Sequence, residues 1–160
     1  MKNLESEEIL SSELLNAITL IVQYIPNAVF GGSIALNAVG LINRKISDID
    51  LFFALADSLT KNGLLSIVEE GVTSDTVTNT NGEFIQRTGA IIAGVKTCCF
   101  KVSDNELQHS KHTFCRNGKD ITICIQNVNY AIEVKRSYAD RNKKHSIDLE
   151  HINNTLESIL

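Results

Sequence analysis

The N-terminal part of the chain carries apolar residues at helical spacing. Apolar positions separated by three or four residues form a single stripe, which predicts an amphipathic helix with one face on a core. The stripe consists of Leu14, Ile18, Ile21 and Ile25. Pro26-Asn27 follows and is expected to end the helix.

Short apolar segments broken by glycine follow this helix. A glycine directly after an apolar run favours a turn, and small residues behind it are compatible with a helix. The expected elements are a strand over residues 28–30, a helix over 33–39 that stops at Gly40, a strand over 48–53 and a helix from Asp57 or Ser58 towards Gly71.

The middle of the chain has the alternation and turn residues of β-structure. Asn81-Gly82 and Asn117-Gly118 are strong signals for tight hairpins. In the strand after the second turn, Ile121, Ile123 and Ile125 share one face, and Thr122, Cys124 and Gln126 share the other. The remaining expected elements are strands over 72–78 and 83–85, one or two strands over 90–102 with a bend or bulge at Gly94, and a polar loop or one helical turn over 104–111.

Helical spacing returns at the C-terminal end. One stripe comprises Ala131, Val134 and Tyr138, and a second comprises Leu149, Ile152, Leu156 and Ile159. A basic run over residues 141–144 separates them. Helices at both chain ends around a mixed β-sheet predict a single α+β (or α/β) domain over residues 1–160.

Composition narrows the class of protein. With 160 residues, 43% of them hydrophobic and 21% charged, the sequence is that of an ordinary globular domain, which excludes disordered and fibrous classes. The net charge of −4 argues against a protein that mainly coats nucleic acid, but it allows a local basic patch. Because no membrane-length apolar run and no signal peptide are recognisable, we expect a cytoplasmic protein without a membrane segment.

The cysteines permit two interpretations. Without a secretory signal they are expected to be reduced thiols. Cys98, Cys99 and Cys115 lie near His109 and His112 in the sequence, which suggests a zinc site. Their spacing matches no standard zinc motif, and cysteine is among the most buried residue types, so packing is the favoured interpretation.

The residues most informative about chemistry lie between Val29 and Phe53. Gly31-Gly32 allow another group to approach the backbone, and a helix starting at Ser33 would direct free N–H groups at a phosphate. Asp48 and Asp50 flank a single residue on a predicted strand, so both carboxylates lie on one face. Two carboxylates on one rigid face favour a cation, and Mg²⁺ held by carboxylates and substrate phosphates is the usual solution. The segment therefore predicts a phosphate cradle beside a metal site. The glycine segment alone is also compatible with a simple turn, and the two aspartates alone with a solvated strand edge. The prediction therefore depends on the combination of the two.

This segment resembles the nucleotidyltransferase superfamily typified by DNA polymerase beta. The residues that carry the resemblance are Phe30-Gly31-Gly32-Ser33-Ile34-Ala35-Leu36, then Arg44, then Ser47-Asp48-Ile49-Asp50-Leu51-Phe52. They are most similar to the abortive-infection toxin branch. The resemblance implies a minimal nucleotidyltransferase fold, Mg²⁺ or Mn²⁺ on Asp48 and Asp50, and an NTP such as ATP bound at Gly31, Gly32, Ser33 and Arg44.

Two C-terminal segments resemble the same branch. They are the helical residues 131–135, which end in Lys135, and the segment 144–149, which contains Lys144 and Asp148. By this resemblance Lys135 contacts the NTP phosphates, and Lys144 and Asp148 complete the pocket. The alternative is that Lys135 is a solvated helix residue and that Asp148, with Glu150, only favours the first turn of the last helix.

One feature departs from the superfamily. Many members add a third carboxylate from a later strand, but the strand over residues 121–125 has Thr122 and Cys124 where an aspartate is expected. Asp120 and Glu83 are poor substitutes, since the first is one register early and the second lies on a different strand. A site with two carboxylates can hold Mg²⁺, although it lacks the usual candidate for a general base.

The function expected from these residues is Mg²⁺-dependent transfer of NMP from an NTP to a hydroxyl of a tRNA, a protein or a small molecule. The toxin-like resemblance adds a cognate antitoxin or regulatory partner. The alternative is a catalytically degenerate fold that binds a nucleotide or a protein. The basic residues Arg136, Arg141, Lys143 and Lys144 would meet a nucleic acid or form a solvated turn. His145 is expected to be an ordinary surface residue rather than an acid or base.

Overall fold

A computed structural model describes residues 11–53, 67–78, 82–102, 107–116, 118–138 and 143–159. Helices lie at both ends of this part of the chain and strands lie between them, which confirms an α+β fold. The helices are α1 (Ser12–Tyr24), α2 (Gly32–Ala38), α3 (Val128–Tyr138) and α4 (Lys143–Ile159). The strands are β1 (Val29–Phe30), β2 (Asp48–Phe53), β3 (Val68–Thr78), β4 (Phe84–Ile92), β5 (Val95–Lys101), β6 (His109–Arg116) and β7 (Lys119–Gln126).

The described strands form one mixed sheet in the order β3-β4-β5-β2-β1-β7-β6. Strand β1 pairs antiparallel with β2 and parallel with β7. On its other side β2 runs parallel to β5, with Asp50 opposite Cys98. The central position of β1 and β2 places the Gly-Gly-Ser segment and the Asp48–Asp50 pair beside each other in the middle of the sheet.

One face of the sheet packs against α1. Leu14, Ile18 and Ile21 are buried there against Ile49 and Leu51 of β2. Burial of each such side chain contributes roughly 1.5–3 kcal/mol relative to exposure, so this face supplies much of the stability. The apolar stripe predicted for the first helix is confirmed, and Ser11 caps it by accepting a hydrogen bond from the Leu14 N–H at 3.2 Å.

A second apolar cluster joins the short helix α2 to the two C-terminal helices. Leu36 and Ile42 pack with Ala131 and Ile132 of α3 and with Ile152 of α4. This cluster fixes the C-terminal helices next to the residues that follow β1, and it thereby brings their polar side chains to the Asp48–Asp50 pair.

Most predicted elements agree with the structure. Both hairpins are confirmed, since Thr78 pairs with Phe84 and Arg116 pairs with Lys119. The chain also turns at Gly94, between β4 and β5. The start of the helix expected from Asp57 or Ser58 lies outside the described residues.

Three details of the prediction are wrong. Residues 68–71 belong to β3 rather than to a helix, because they extend the pairing with β4 through two register shifts. Residues 109–111 are part of β6 instead of a loop, since they pair with β7. The stripe of α4 does not stay buried, because Leu156 is 39% exposed whereas Ile152 is fully buried.

Candidate functional site

Asp48 and Asp50 lie on one face of β2, as the alternation predicts. Ile49 between them is fully buried on the opposite face, whereas both aspartates are half-buried. The Gly31 N–H donates to the Asp50 carbonyl oxygen at 2.9 Å, which holds the glycine segment against this strand. The carboxylate pair and the glycine pair therefore form one site.

The two glycines are required by space. A Cβ on Gly32 would overlap Asp50 Oδ2, and Gly32 also has a positive φ of +56°. A Cβ on Gly31 would overlap the Phe52 ring and would lie 2.7 Å from Gln126 Oε1. The glycines thus let the Asp50 carboxylate and the Gln126 amide touch the backbone directly.

Ser33 receives two cationic donors from distant parts of the chain. Arg44 Nη2 donates to Ser33 Oγ at 2.7 Å, and Lys135 Nζ donates to the same oxygen at 3.2 Å. Helix α2 behind Ser33 has only seven residues. The positive charge at this position therefore comes mainly from the two side chains rather than from the helix dipole.

Asp148 holds both cations in place. Arg44 Nε and Nη2 donate to its two carboxylate oxygens at 2.7 and 2.9 Å, and Lys135 Nζ lies 2.8 Å from Oδ2. The side chains of Lys135 and Asp148 are only 5% and 2% exposed. Burial alone would raise the pKa of Asp148, but the hydrogen bonds from Arg44 and Lys135 reverse this and lower it.

The surroundings shift three further pKa values. Removal from water raises the pKa of Asp50 to about 6, with Lys135 opposing this rise and Asp48 adding to it. Burial lowers the pKa of Lys135, although its bond to Asp148 acts the other way. Burial, together with Lys135, lowers the pKa of His145, which favours its neutral imidazole form. The Asp50 carboxylate is thus poorly compensated by the protein alone.

A small polar pocket of about 150 Å³ lies between these groups. Asp48 and Asp50 face the cations across it. Its lining consists of Ser33, Arg44, Ile46, Ser47, Asp48, Asp50, Lys135, Lys144 and His145. His145 Nδ1 lies 3.3 Å from Lys135 Nζ and accepts its hydrogen bond. The expectation that His145 is an ordinary surface residue is therefore wrong.

A larger cleft of about 550 Å³ adjoins the polar pocket. The two cavities share Asp50 and His145. Phe52 and Phe100 form part of the cleft wall and stack with their ring centroids 5.1 Å apart. The arrangement is a small polar pocket next to a larger cleft with aromatic residues in its wall, and Asp50 and His145 line both.

The donor set around Asp48 and Asp50 suits Mg²⁺ or Mn²⁺. Mg²⁺ is usually bound by one or two carboxylates, with substrate phosphates and water as the other ligands. Asp48 and Asp50 lie on one face and line the same small pocket, and a cation bound there would oppose the rise in the pKa of Asp50 that burial causes. The residues present therefore fit such an ion.

The strand order determines where a third carboxylate would have to lie. Strand β7, which contains residues 121–125, pairs with β1 and β6 and does not lie next to β2. The neighbour of β2 on the other side is β5, where Cys98 lies opposite Asp50 and Lys96 opposite Asp48. Within the described ranges, no group of three or more His, Cys, Asp or Glu side chains could hold a metal.

The structure brings together all the residues that the sequence suggested for the site. Ser33, Asp48, Asp50, Arg44, Lys135 and Lys144 line the pocket, and Gly31, Gly32 and Asp148 support it. The alternative in which Lys135 is a solvated helix residue is wrong, because its side chain is buried. Asp148 acts in this geometry through Arg44 and Lys135. The cleft residues Arg87, Gln126 and Tyr130 were missed, since no local motif marks them.

The four cysteines differ in how deeply they are buried. Cys99 and Cys124 are buried in apolar clusters, Cys98 is half-buried and Cys115 is exposed, which agrees with packing for the buried pair.

Of the basic residues, Arg136 and Lys143 are exposed on α3 and α4, and Arg141 lies outside the described residues. Both exposed residues are next in sequence to a lysine that lines the pocket, Arg136 to Lys135 and Lys143 to Lys144.

Comparisons of the chain with protein-family models, with curated proteins and with solved structures find no match. Among the described residues, no helix combines the length and the apolar character that crossing a membrane requires. A functional assignment therefore rests on the geometry of the site.

Proposed function

We propose that this chain is a Mg²⁺- or Mn²⁺-dependent nucleotidyltransferase that moves an NMP group from an NTP to an acceptor hydroxyl. The observation that carries the proposal is the convergence of Arg44 and Lys135 on Ser33 Oγ, in the pocket that also contains Asp48 and Asp50. Four separate segments of the chain contribute to this pocket. A purely structural ion pair would not require the adjoining carboxylate pair.

The cationic side chains would bind the triphosphate. Lys144 lines the pocket and is half-buried, so that its ammonium group would add a phosphate contact to those of Lys135 and Arg44. Ser33 Oγ already accepts hydrogen bonds from Arg44 and Lys135, and its hydroxyl hydrogen would therefore turn towards a phosphate oxygen. Asp148 would keep the two cations at fixed positions when the ligand enters.

The carboxylate pair would bind the metal. The three cationic side chains Arg44, Lys135 and Lys144 are balanced by three carboxylates, Asp48, Asp50 and Asp148, so the protein alone offers little net attraction to a triphosphate. Mg²⁺ held by Asp48 and Asp50 would supply the missing positive charge and would lower the pKa of the attacking hydroxyl.

The reaction forms one bond and breaks one. The acceptor oxygen bonds to the α-phosphorus, the bond between the α-phosphorus and the oxygen that leads to the β-phosphorus breaks, pyrophosphate leaves, and the hydroxyl proton is released. The exposed residues Arg136 and Lys143, each next in sequence to a pocket lysine, would attract a polyanionic acceptor such as tRNA. A protein acceptor or a small molecule would enter by the same opening. A toxin-like role with a cognate antitoxin follows only if the acceptor is essential to the cell.

Labelled nucleotides test this proposal. The full chain is incubated with NTPs labelled at the α-phosphate, with Mg²⁺ or Mn²⁺, and with bulk tRNA or a cell extract. We expect covalent label from the α-position and none from the γ-position, and loss of label in Asp48→Asn and Asp50→Asn. Glu133→Gln, an exposed carboxylate on α3, serves as the control. Label transferred from the γ-position, or label that survives in both aspartate variants, would contradict the proposal.

A second candidate is a catalytically degenerate fold that binds a nucleotide or a protein partner. The position of Cys98 opposite Asp50 on β5, where a third carboxylate would be nearest to the pair, favours it. For this alternative, NTP and Mg²⁺ would raise the melting temperature of the wild-type chain while no label moves to any acceptor.

A further inference from the structure

Gln126 presents a buried amide group that is not satisfied. The residue is 1% exposed, and its Nε2 has no hydrogen-bond partner within the part of the chain that the structure describes. A buried donor without a partner is costly, since it has lost its water and gained nothing. A buried donor without a partner in a cavity wall is typical of a ligand-binding site.

Gln126 lies in the wall of the cleft, with its carbonyl oxygen next to Gly31. Oε1 lies against the backbone of Gly31, where a Cβ would be only 2.7 Å from it. Gln126 also lines the 550 Å³ cleft, and among the described residues its Nε2 donor has no hydrogen-bond partner.

The rest of the cleft suits a planar heterocycle. Phe52 and Phe100 are stacked in its wall, and Ile85 and Val102 add apolar surface. The cleft begins at Asp50 and His145, which also line the phosphate pocket. If triphosphate binds in the pocket, as the proposed function requires, the nucleoside half of the same molecule extends into the cleft.

We propose that Gln126 is a specificity-determining residue that selects nucleotides whose base carries an oxo group. The Nε2 donor pairs with an oxo oxygen on the base edge. An amino group at the same place brings a second donor to the first, which leaves both unpaired. This inference rests on the proposed function and adds the class of base that the site accepts.

ATP and ITP provide a matched pair of probes, because they differ at one edge of the purine, where ATP has an amino group and ITP an oxo group. Binding to the full chain with Mg²⁺ is measured by calorimetry. We expect ITP to bind roughly tenfold more tightly than ATP, the size of effect that an unpaired buried donor produces. This comparison uses the wild-type chain and does not depend on the folding of a variant.

Gln126→Met tests the residue itself. Methionine has a similar length and no donor, so the ratio of the two affinities should fall to about one, while the melting temperature without nucleotide stays the same or rises. Gln86→Met, an exposed glutamine on β4, should keep the tenfold ratio.

Equal affinities of the wild-type chain for ATP and ITP, or a preference for ITP that persists in Gln126→Met, would overturn the inference and leave the proposed function standing. Absence of binding by any nucleoside triphosphate would overturn both.

Discussion

Lys135 Nζ lies 3.2 Å from Ser33 Oγ, although 102 residues separate the two along the chain. This contact joins the segment after β1 to a C-terminal helix, and it is made inside a pocket that also holds two aspartates. A lysine that is 5% exposed is retained at a cost in desolvation unless its charge is used or paired. Asp148 forms an ion pair with this lysine, and the lysine also lines the pocket, where its charge would attract an anionic ligand.

Asp148→Asn should destabilise the protein, because it leaves Arg44 and Lys135 without their anionic partner. We expect a loss of about 3 kcal/mol at pH 7, the size typical of breaking a buried ion pair from one side. Urea denaturation measures it, with Glu150→Gln, an exposed carboxylate on the same helix, as the control.

The pH dependence of this loss has a definite sign. The pKa of Asp148 is lowered below its ordinary 3.8 in the folded protein, so its contribution is present above pH 3.8 and is lost as the pH falls through the lowered value. The stability difference between the wild type and Asp148→Asn should therefore be constant from pH 7 to about pH 5 and shrink in strong acid. A difference that grows on acidification would contradict the assignment.

Gly32→Ala should impair the site more than Gly40→Ala, although the two glycines have a comparable backbone conformation. Gly32 and Gly40 both have positive φ, but a Cβ on Gly40 would meet nothing within 4 Å, whereas one on Gly32 would overlap Asp50 Oδ2. Gly40→Ala should cost about 1–2 kcal/mol from the backbone alone. Gly32→Ala should cost more and should also abolish nucleotide binding, as measured by calorimetry. Equal effects of the two substitutions would show that the contact with Asp50 is unimportant.

Asp50→Asn should stabilise the chain in the presence of EDTA at neutral pH. The pKa of Asp50 is raised from 3.8 to about 6, so the folded state is favoured below pH 3.8 and this advantage is lost as the pH rises through 6. Removing the charge should raise the melting temperature at pH 7.5 and have little effect at pH 4. Adding Mg²⁺ should raise the melting temperature of the wild type but not that of the variant. A variant that melts lower than the wild type at pH 7.5 would contradict this account.

Lys144 and Lys143 form a matched pair for testing the phosphate pocket. Lys144 is half-buried in the pocket lining, and Lys143 is exposed beside it. Lys144→Ala should weaken NTP binding roughly tenfold, the loss expected for one charge-assisted contact. Lys143→Ala makes the same change in net charge and should leave NTP affinity unchanged. Similar losses in both variants would indicate general electrostatic attraction instead of a defined pocket.

Local sequence predicted the parts of the site that are close in the chain. A local turn determines the orientation of Gly31-Gly32-Ser33, and the alternation of one strand determines the orientation of the Asp48–Asp50 pair. Alternation alone could not show which strand lies beside β2, because strand order depends on packing of the whole sheet. The strand over residues 121–125 is therefore separated from the pair by β1, and Cys98 on β5 takes the place beside it.

Long-range packing also explains what was missed in the cleft. In the sequence, Gln126 is only one of the alternating polar residues of its strand. Its role depends on the pairing of Phe30 with Ile125, which puts the next residues of the two strands, Gly31 and Gln126, against each other. The predicted start of β3 is wrong for the same reason. Pairing with β4 extends this strand over residues 68–71, whose sequence pattern also fits a helix.

A crystal structure of the full chain with Mg²⁺ and a non-hydrolysable NTP analogue tests the central claim most directly. The account predicts a metal ion ligated by Asp48 and Asp50 and a triphosphate in contact with Ser33, Lys135 and Lys144. A pocket closed by these same side chains at saturating nucleotide, or a nucleotide bound elsewhere on the molecule, would contradict it.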